Sequence, residues 1–329
     1  MSSFTFNFQY QLYWYAMEST LKYKIRKNIA NFPLFFQIQT INDCNGSCIM
    51  CPNNNRRNIK HKMSDDLFKK IIDEINANVK SKTIISLFLQ NEPFLDKNLF
   101  EKIEYIQKKN NKNILINITT NGSLITDHFI EKIVNYDDLY IIFSLDALTK
   151  QTYNKIRKGL DYDTVISNIN NLINSGFNKK YIVVEFVIQH QNISEYRDFM
   201  KYWKNKAGGI LIQYISDRSG NLSNFFDVSL KYRDFPFKEK IYFFIIKNSV
   251  RYCPCPFISF NILSNGNVIL CTEDWSGKTI VGNLNNSPIK EIWMNKEYRQ
   301  IRSLTINKMY KKIPVCDNCY KWNSGKLKL

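Results

Sequence analysis

Six apolar runs recur through the first two thirds of the chain: Phe35–Thr40, Ile84–Leu89, Ile114–Thr119, Leu139–Ser144, Tyr181–Ile188 and Ile210–Ile215. Short and β-rich, they read as strands. Between them apolar positions return with the helical period. Ser64 is placed to cap a helix carrying Leu67, Ile71, Ile75 and Val79 on one stripe, with Asp65 and Asp66 in its first turn. A second helix carries Val165, Ile169 and Ile173, and Gly176 is positioned to end it. Strands alternating with helices predict a parallel α/β architecture. Its chemistry should lie in the loops after the strands' C-terminal ends.

The pattern changes after about residue 235. Ile258–Leu263 and Val268–Cys271 flank Ser264-Asn265-Gly266-Asn267, and Asn-Gly between apolar runs is the strongest short-range hairpin signal. Ser287-Pro288 then predicts a helix with Pro at its first position, followed by Ile289, Ile292 and Trp293. The chain divides accordingly into an extension (1–33), an α/β unit (34–235) and a smaller α+β unit (236–329). There is no internal repeat and no low-complexity linker.

A length of 329 residues, 44% hydrophobic and 14% aromatic, suits two domains of roughly 150 residues with a real core. No stretch approaches the roughly 20 uninterrupted apolar residues of a membrane helix. Asn7, Gln9 and Gln11 break the aromatic N-terminus, which also lacks the charged start of a secretion signal. A cytoplasmic location is therefore expected. The 46 Lys+Arg against 29 Asp+Glu leave a net charge of +17. Two readings of it stay open: an anionic partner such as nucleic acid or a membrane surface, or a Lys-, Asn- and Ile-rich composition throughout.

The eight cysteines change the picture most. In a reducing compartment, clustered cysteines point to metal rather than disulfides. They form two sets: Cys44, Cys48 and Cys51, then Cys253, Cys255, Cys271, Cys316 and Cys319. Three thiolates from one loop suit a structural zinc poorly, because such sites close with four ligands. They suit a [4Fe–4S] cluster with one iron left open. The alternatives are a zinc completed by His61, His128 or His190, or three ordinary buried cysteines.

With its C-x3-C-x2-C spacing directly after the first strand, the chain resembles the radical S-adenosylmethionine (SAM) superfamily. That resemblance implies a partial (β/α)6 barrel. It also implies that SAM binds the open iron and is reductively cleaved to methionine and a 5′-deoxyadenosyl radical, which abstracts hydrogen from substrate. A reductant such as flavodoxin or ferredoxin is implied as partner. Met50 stands where the family usually has an aromatic residue, and fills similar space. Gln90-Asn91-Glu92-Pro93 occupies the family's Gly-Gly-Glu or Gly-Glu-Pro position for the SAM amino group, with Asn91 replacing a usual Gly. Thr120-Asn121-Gly122 faces the same mouth after the third strand. Ser144 and Asp146 resemble the family's ribose-binding pair, and Arg157 an Arg aimed at the SAM carboxylate.

The second set lies in an ordered pattern: Cys253-Pro-Cys255-Pro-Phe, the Asn-Gly hairpin, Cys271, Gly282-Asn283-Leu284, Glu291-Ile292-Trp293 and Cys316-x2-Cys319. This resembles the C-terminal auxiliary-cluster domain called SPASM, or its shorter form, twitch. Five cysteines imply one auxiliary [4Fe–4S] cluster, held by Cys253, Cys271, Cys316 and Cys319. Cys253 takes the family's opening position, 18 positions before Cys271. Cys255 is then a spare thiol. It reads as a small buried hydrophobe, with a hydrogen-atom donor or alternative ligand as the sharper readings.

Relatives with one auxiliary cluster include enzymes that oxidise an aminocyclitol or sugar alcohol, and others modify peptides by thioether formation, epimerisation or crosslinking. Only 43 residues precede Cys44, fewer than a leader-peptide recognition domain needs, which leans the expectation to oxidation or epimerisation of a small polar, sugar-like or aminocyclitol substrate. A peptide substrate is the alternative. Arg218 and Gly220 after the sixth strand, and Gln189 and His190 after the fifth, lie where substrate could be met. Two other classes remain: an RNA-modifying radical enzyme, motivated by the charge, and a non-catalytic iron–sulfur or zinc protein.

Overall fold

The computed structural model describes residues 31–55, 60–231, 234–237 and 252–319. Nearly all of the 1–33 extension therefore lies outside the described residues. All six expected strands form: β1 Phe35–Ile38, β2 Thr83–Ser86, β3 Ile114–Thr120, β4 Leu139–Ser144, β5 Ile182–Ile188 and β6 Gly209–Tyr214. Each pairs in parallel with the next. The helix α1 Asp65–Asn78 starts where Ser64 accepts the Leu67 N–H, and buries Leu67, Phe68, Ile71, Ile72 and Ile75. Val79 falls just past its end as the C-cap. Asp161 caps α5 Tyr162–Asn174, and Gly176 follows it at φ +91°. That conformation is cheap only for glycine. Between these come α2 Leu99–Lys108, α3 Asp127–Ile133 and α4 Lys150–Ile156; α6 Tyr196–Trp203 leads into β6.

The smaller unit is continuous with the barrel. β7 Ser259–Ile262 pairs in parallel with β1, and β8 Asn267–Ile269 and β9 Ile280–Asn283 follow antiparallel. One nine-stranded sheet results, ordered β6-β5-β4-β3-β2-β1-β7-β8-β9. The fold is thus a partial α/β barrel whose sheet runs on into a small α+β unit, and the units expected on either side of residue 235 share it. The hairpin formed as the Asn265-Gly266 signal required, with Gly266 at φ +85°. Pro288 stands one residue before its helix (Ile289–Trp293), as N-cap rather than in the first turn.

Aromatic packing seals the joint. Phe36 of β1 and Phe260 of β7 lie 5.9 Å apart, and Phe260 meets Trp293 at 6.2 Å. Arg302, on the helix Lys296–Ile306, lies 4.1 Å over the Trp293 ring and donates to the carbonyls of Pro256 and Trp293, both at 2.8 Å. All four side chains are buried, and each of the aromatics contributes about 1.5–3 kcal/mol by leaving water.

Candidate active site: two cysteine sites at one edge of the sheet

Because β1 to β6 run parallel, the loops that follow them gather along one edge of the sheet. β1 delivers the Cys44–Cys51 loop to that edge. The loop is pinned from outside: Ser47 and Ile49 N–H groups donate to the carbonyls of Lys158 and Ile156 at 2.7 and 3.0 Å. A Cβ at Gly46 would meet Leu160 at 3.2 Å, so glycine lets that side chain close over the loop. Met50 is buried beside Cys48 and Ile156, the apolar filling expected of it.

Burial pushes the bare thiols up, Cys44 to about 12 and Cys51 to about 11, and Cys48 upward as well. The countercharge nearest to Cys48 is Arg157, whose Nη1 lies 3.6 Å from Sγ. A metal cation is what converts such thiols to thiolates.

Arg157 also pairs with Asp146, Nη2 to Oδ2 at 2.5 Å. Asp146 is fully buried at φ +62° and accepts the Val187 N–H at 2.7 Å. Burial raises its pKa, with Arg157 opposing. The Asp146 carboxylate is therefore spent on holding Arg157 and β5. Ser144 donates to Glu185 of β5 at 2.6 Å, and burial raises the Glu185 pKa. Glu92 accepts from the Thr120 hydroxyl (2.7 Å), the Asn121 N–H (2.8 Å) and the Phe94 N–H (3.1 Å). It ties the end of β2 to the end of β3, and burial raises its pKa. Gln90 turns toward the small unit and donates to the Asp274 carbonyl at 3.2 Å. Two buried donors, Asn91 Nδ2 and Arg157 Nε, have no hydrogen-bond partner among the described residues. Both suit an acceptor such as the SAM carboxylate, so this edge fits the ligand that the resemblance implies.

The second site is assembled from three segments. Cys253, Cys255, Cys271, Cys316 and Cys319 all line one cavity of about 80 Å³, with Pro256, Leu270, Thr272, Glu273, Thr305 and Val315. Among the described residues no three His, Cys, Asp or Glu side chains converge on a point fit for one metal ion. Five sulfurs lining one cavity suit the thiolate ligation of an iron–sulfur cluster. Cys255 is not packed away: it lies against both Cys253 and Cys271, and interaction with it raises the Cys271 pKa. The Glu273 N–H donates to Cys271 Sγ at 3.3 Å.

The two sites meet across the ends of β2 and β6. The Ser216 hydroxyl donates to Glu273, Arg218 Nη1 reaches its carboxylate at 3.6 Å, and Ser219 donates to the Val315 carbonyl. Arg218 sits at φ +51°, near enough to Cys51 and Glu185 to favour their charged forms. Gly220 packs against Asn318. Gln189 is fully buried, its amide without a hydrogen-bond partner among the described residues, and the His190 N–H donates to the Val228 carbonyl at 3.0 Å. Sequence reasoning missed Glu185 and Glu273. Glu185 sits in register opposite Ser144, a pairing no local pattern encodes, whereas Glu273 was within reach as an acidic residue two positions after a cluster cysteine.

A parallel half-barrel with a three-thiol loop at its edge and a sulfur-lined cavity alongside defines the two-cluster iron–sulfur enzymes that work on SAM. The chain belongs to the radical SAM superfamily. The model described as "Radical SAM superfamily" matches residues 38–202, and "Iron-sulfur cluster-binding domain" (SPASM) matches residues 253–320. It therefore carries a SAM-binding [4Fe–4S] cluster and an auxiliary iron–sulfur cluster. It is 22% identical over 288 residues to an S-adenosyl-L-methionine-dependent 2-deoxy-scyllo-inosamine dehydrogenase of Niallia circulans, covering 86% of this chain and 91% of that one. It is 21% identical over 316 residues to a tungsten-containing aldehyde ferredoxin oxidoreductase cofactor-modifying protein of Pyrococcus furiosus, covering 87% and 86%. Among solved structures, Streptococcus suis SuiB bound to precursor peptide SuiA superposes with a TM-score of 0.71 at 17% identity, over 91% of this chain and 78% of that one. BtrN in complex with AdoMet and 2-DOIA superposes at 0.59 and 19%, over 88% and 93%. At these identities the structures establish a shared fold. No helix among the described residues is long and apolar enough to cross a membrane.

Proposed function

We propose that this enzyme oxidises a secondary alcohol on a small polar, sugar-like or aminocyclitol substrate. Cys44, Cys48 and Cys51 hold the SAM cluster; Cys253, Cys271, Cys316 and Cys319 hold the auxiliary one. The observation that carries the reading is the sulfur-lined cavity set against the same edge as the three-thiol loop. Turning an alcohol into a ketone removes a hydrogen atom, a proton and one further electron, so it needs a one-electron acceptor near the hydrogen abstractor. When bound, the first cluster supplies the electron that cleaves SAM, and the second is such an acceptor.

The chain's own residues do the rest. Arg157 compensates charge at Cys48 and is itself held by Asp146. Asn91 and Arg157 offer free donors to the SAM carboxylate, Gln90 and Glu92 shape the turn around its amino group, and Ser144 with Glu185 offers polar atoms to the ribose. Ser216, Arg218 and Glu273 line the approach between the two sulfur sites. The dehydrogenase relative that aligns over most of both chains supports this substrate class.

The test is anaerobic reconstitution followed by incubation with SAM, dithionite and a panel of sugars and aminocyclitols deuterated at the carbinol carbon. Deuterium in 5′-deoxyadenosine with an equivalent of ketone is the expected result. 5′-Deoxyadenosine formed only with peptides would replace this reading by peptide modification, and none at all would end both. A flavodoxin or ferredoxin should substitute for dithionite.

A further inference from the structure

The turn after Cys271 is held from the barrel side by side chains of two strand ends. From the end of β6 come Ser216 and Arg218, both on the Glu273 carboxylate. From the end of β2 comes Gln90, whose Nε2 donates to the Asp274 carbonyl at 3.2 Å and to the Thr272 carbonyl at 3.5 Å. Between those two carbonyls the Glu273 N–H donates to Cys271 Sγ at 3.3 Å. Gln90 is buried and adopts φ +62°, a left-handed backbone that costs a non-glycine residue strain. Glycine would meet the backbone requirement freely. What glutamine adds is an amide long enough to cross to the other unit.

We propose that Gln90 is a positioning residue that couples the SAM-binding turn of the barrel to the auxiliary cluster, by fixing the Glu273 N–H on the Cys271 sulfur. Hydrogen bonds to cluster sulfurs stabilise the more negative, reduced state and so raise the reduction potential. Gln90 is contiguous with Asn91 and Glu92, so a ligand that shifts this turn moves the two carbonyls flanking Glu273. SAM binding at one site is thereby read at the other, and the electron acceptor is tuned when SAM is in place. This inference rests on the reading of Cys271 as an auxiliary-cluster ligand.

The experiment is a redox titration of the reconstituted full-length enzyme, followed by electron paramagnetic resonance, with and without SAM. The wild-type auxiliary potential should move when SAM is added. In Gln90→Gly, which fits the backbone, and Gln90→Asn, which tolerates it but is one carbon short, the potential should lie lower and ignore SAM. The reduced-to-oxidised ratio at fixed poise should fall about tenfold, or about 59 mV for one electron. Wild-type potentials indifferent to SAM would overturn the coupling, as would both variants matching wild type. Failure of the underlying reading looks different: wild-type enzyme with iron far below about eight per chain, or without SAM cleavage.

Discussion

The three sulfurs proposed to hold the SAM cluster come from one eight-residue loop, whereas the five that line the second cavity are drawn from three segments spread over residues 253–319. The loop takes all three thiols from one stretch of chain, held by the Ile156–Lys158 segment and by the side chains of Asn121 and Asn224. The cavity needs the hairpin, the helix carrying Cys255 and the Cys316–Cys319 turn in place together. A site encoded locally answers to its own residues; a site assembled from afar answers to the packing that assembles it. The same contrast extends to charge, for Arg157 stands at Cys48 while the cavity has the Glu273 peptide N–H at Cys271.

The sharpest way to break this comparison is to remove one ligand from each side. Cys48→Ala should reduce 5′-deoxyadenosine formation to background, measured by chromatography after dithionite reduction. Cys271→Ala should lower iron from about eight to about four per chain, keeping some SAM cleavage but no product. Equal loss of cleavage in both would mean the sites are not separate. Next comes packing: Trp293→Ala should destabilise the fold by about 3–5 kcal/mol and deplete auxiliary iron before catalytic iron, read by denaturant melts and spin quantitation. If both clusters are lost in parallel, the second site does not depend more on its surroundings than the first.

Smaller again, Arg157→Lys keeps the charge but loses the fork that reaches Asp146 and Cys48 together. SAM cleavage should drop about 10–100-fold, the usual cost of a misplaced supporting residue. An unchanged rate would show that charge alone suffices. The smallest effect is in pH. Cys51 and Cys44 have folded pKa values raised from 9.0 to about 11 and about 12 by burial. The stability this gives the metal-free fold is present below pH 9 and fades as pH rises through about 11 to 12. Thermal midpoints of metal-free protein should therefore fall more steeply above pH 9 in wild type than in Cys44→Ala; parallel slopes would refute the assignment.

The six barrel strands were legible because each is a short apolar run with a turn signal behind it, and both cysteine sets stood out by spacing alone. The hairpin was legible from Asn265-Gly266. What could not be read is the contact between distant segments. Nothing near Phe35 announces Ser259 as its neighbour, and the pairing of Ser144 with Glu185 depends on strand register. Gln90 and Asp146 were marked for SAM, yet the structure gives their side chains to Asp274 and Arg157. A motif names residue types at a place, while long-range partners decide where each side chain points. Cys255 is similar: its small size allowed a packing role, but the start of its short helix brings it to the cavity wall.

The position of β1 in the sheet has a consequence in time. On one side it pairs with β2, within reach as soon as α1 has formed; on the other its partner β7 begins 224 residues later, Ser259 against Phe35. At about 5–20 residues per second of synthesis, that edge waits roughly 10–45 s with its backbone groups unpaired. An exposed strand edge is a template for wrong pairing. For that interval the newborn barrel is open at the β1 edge, a strand that ends up inside the finished sheet, and the arrival of the second unit closes it.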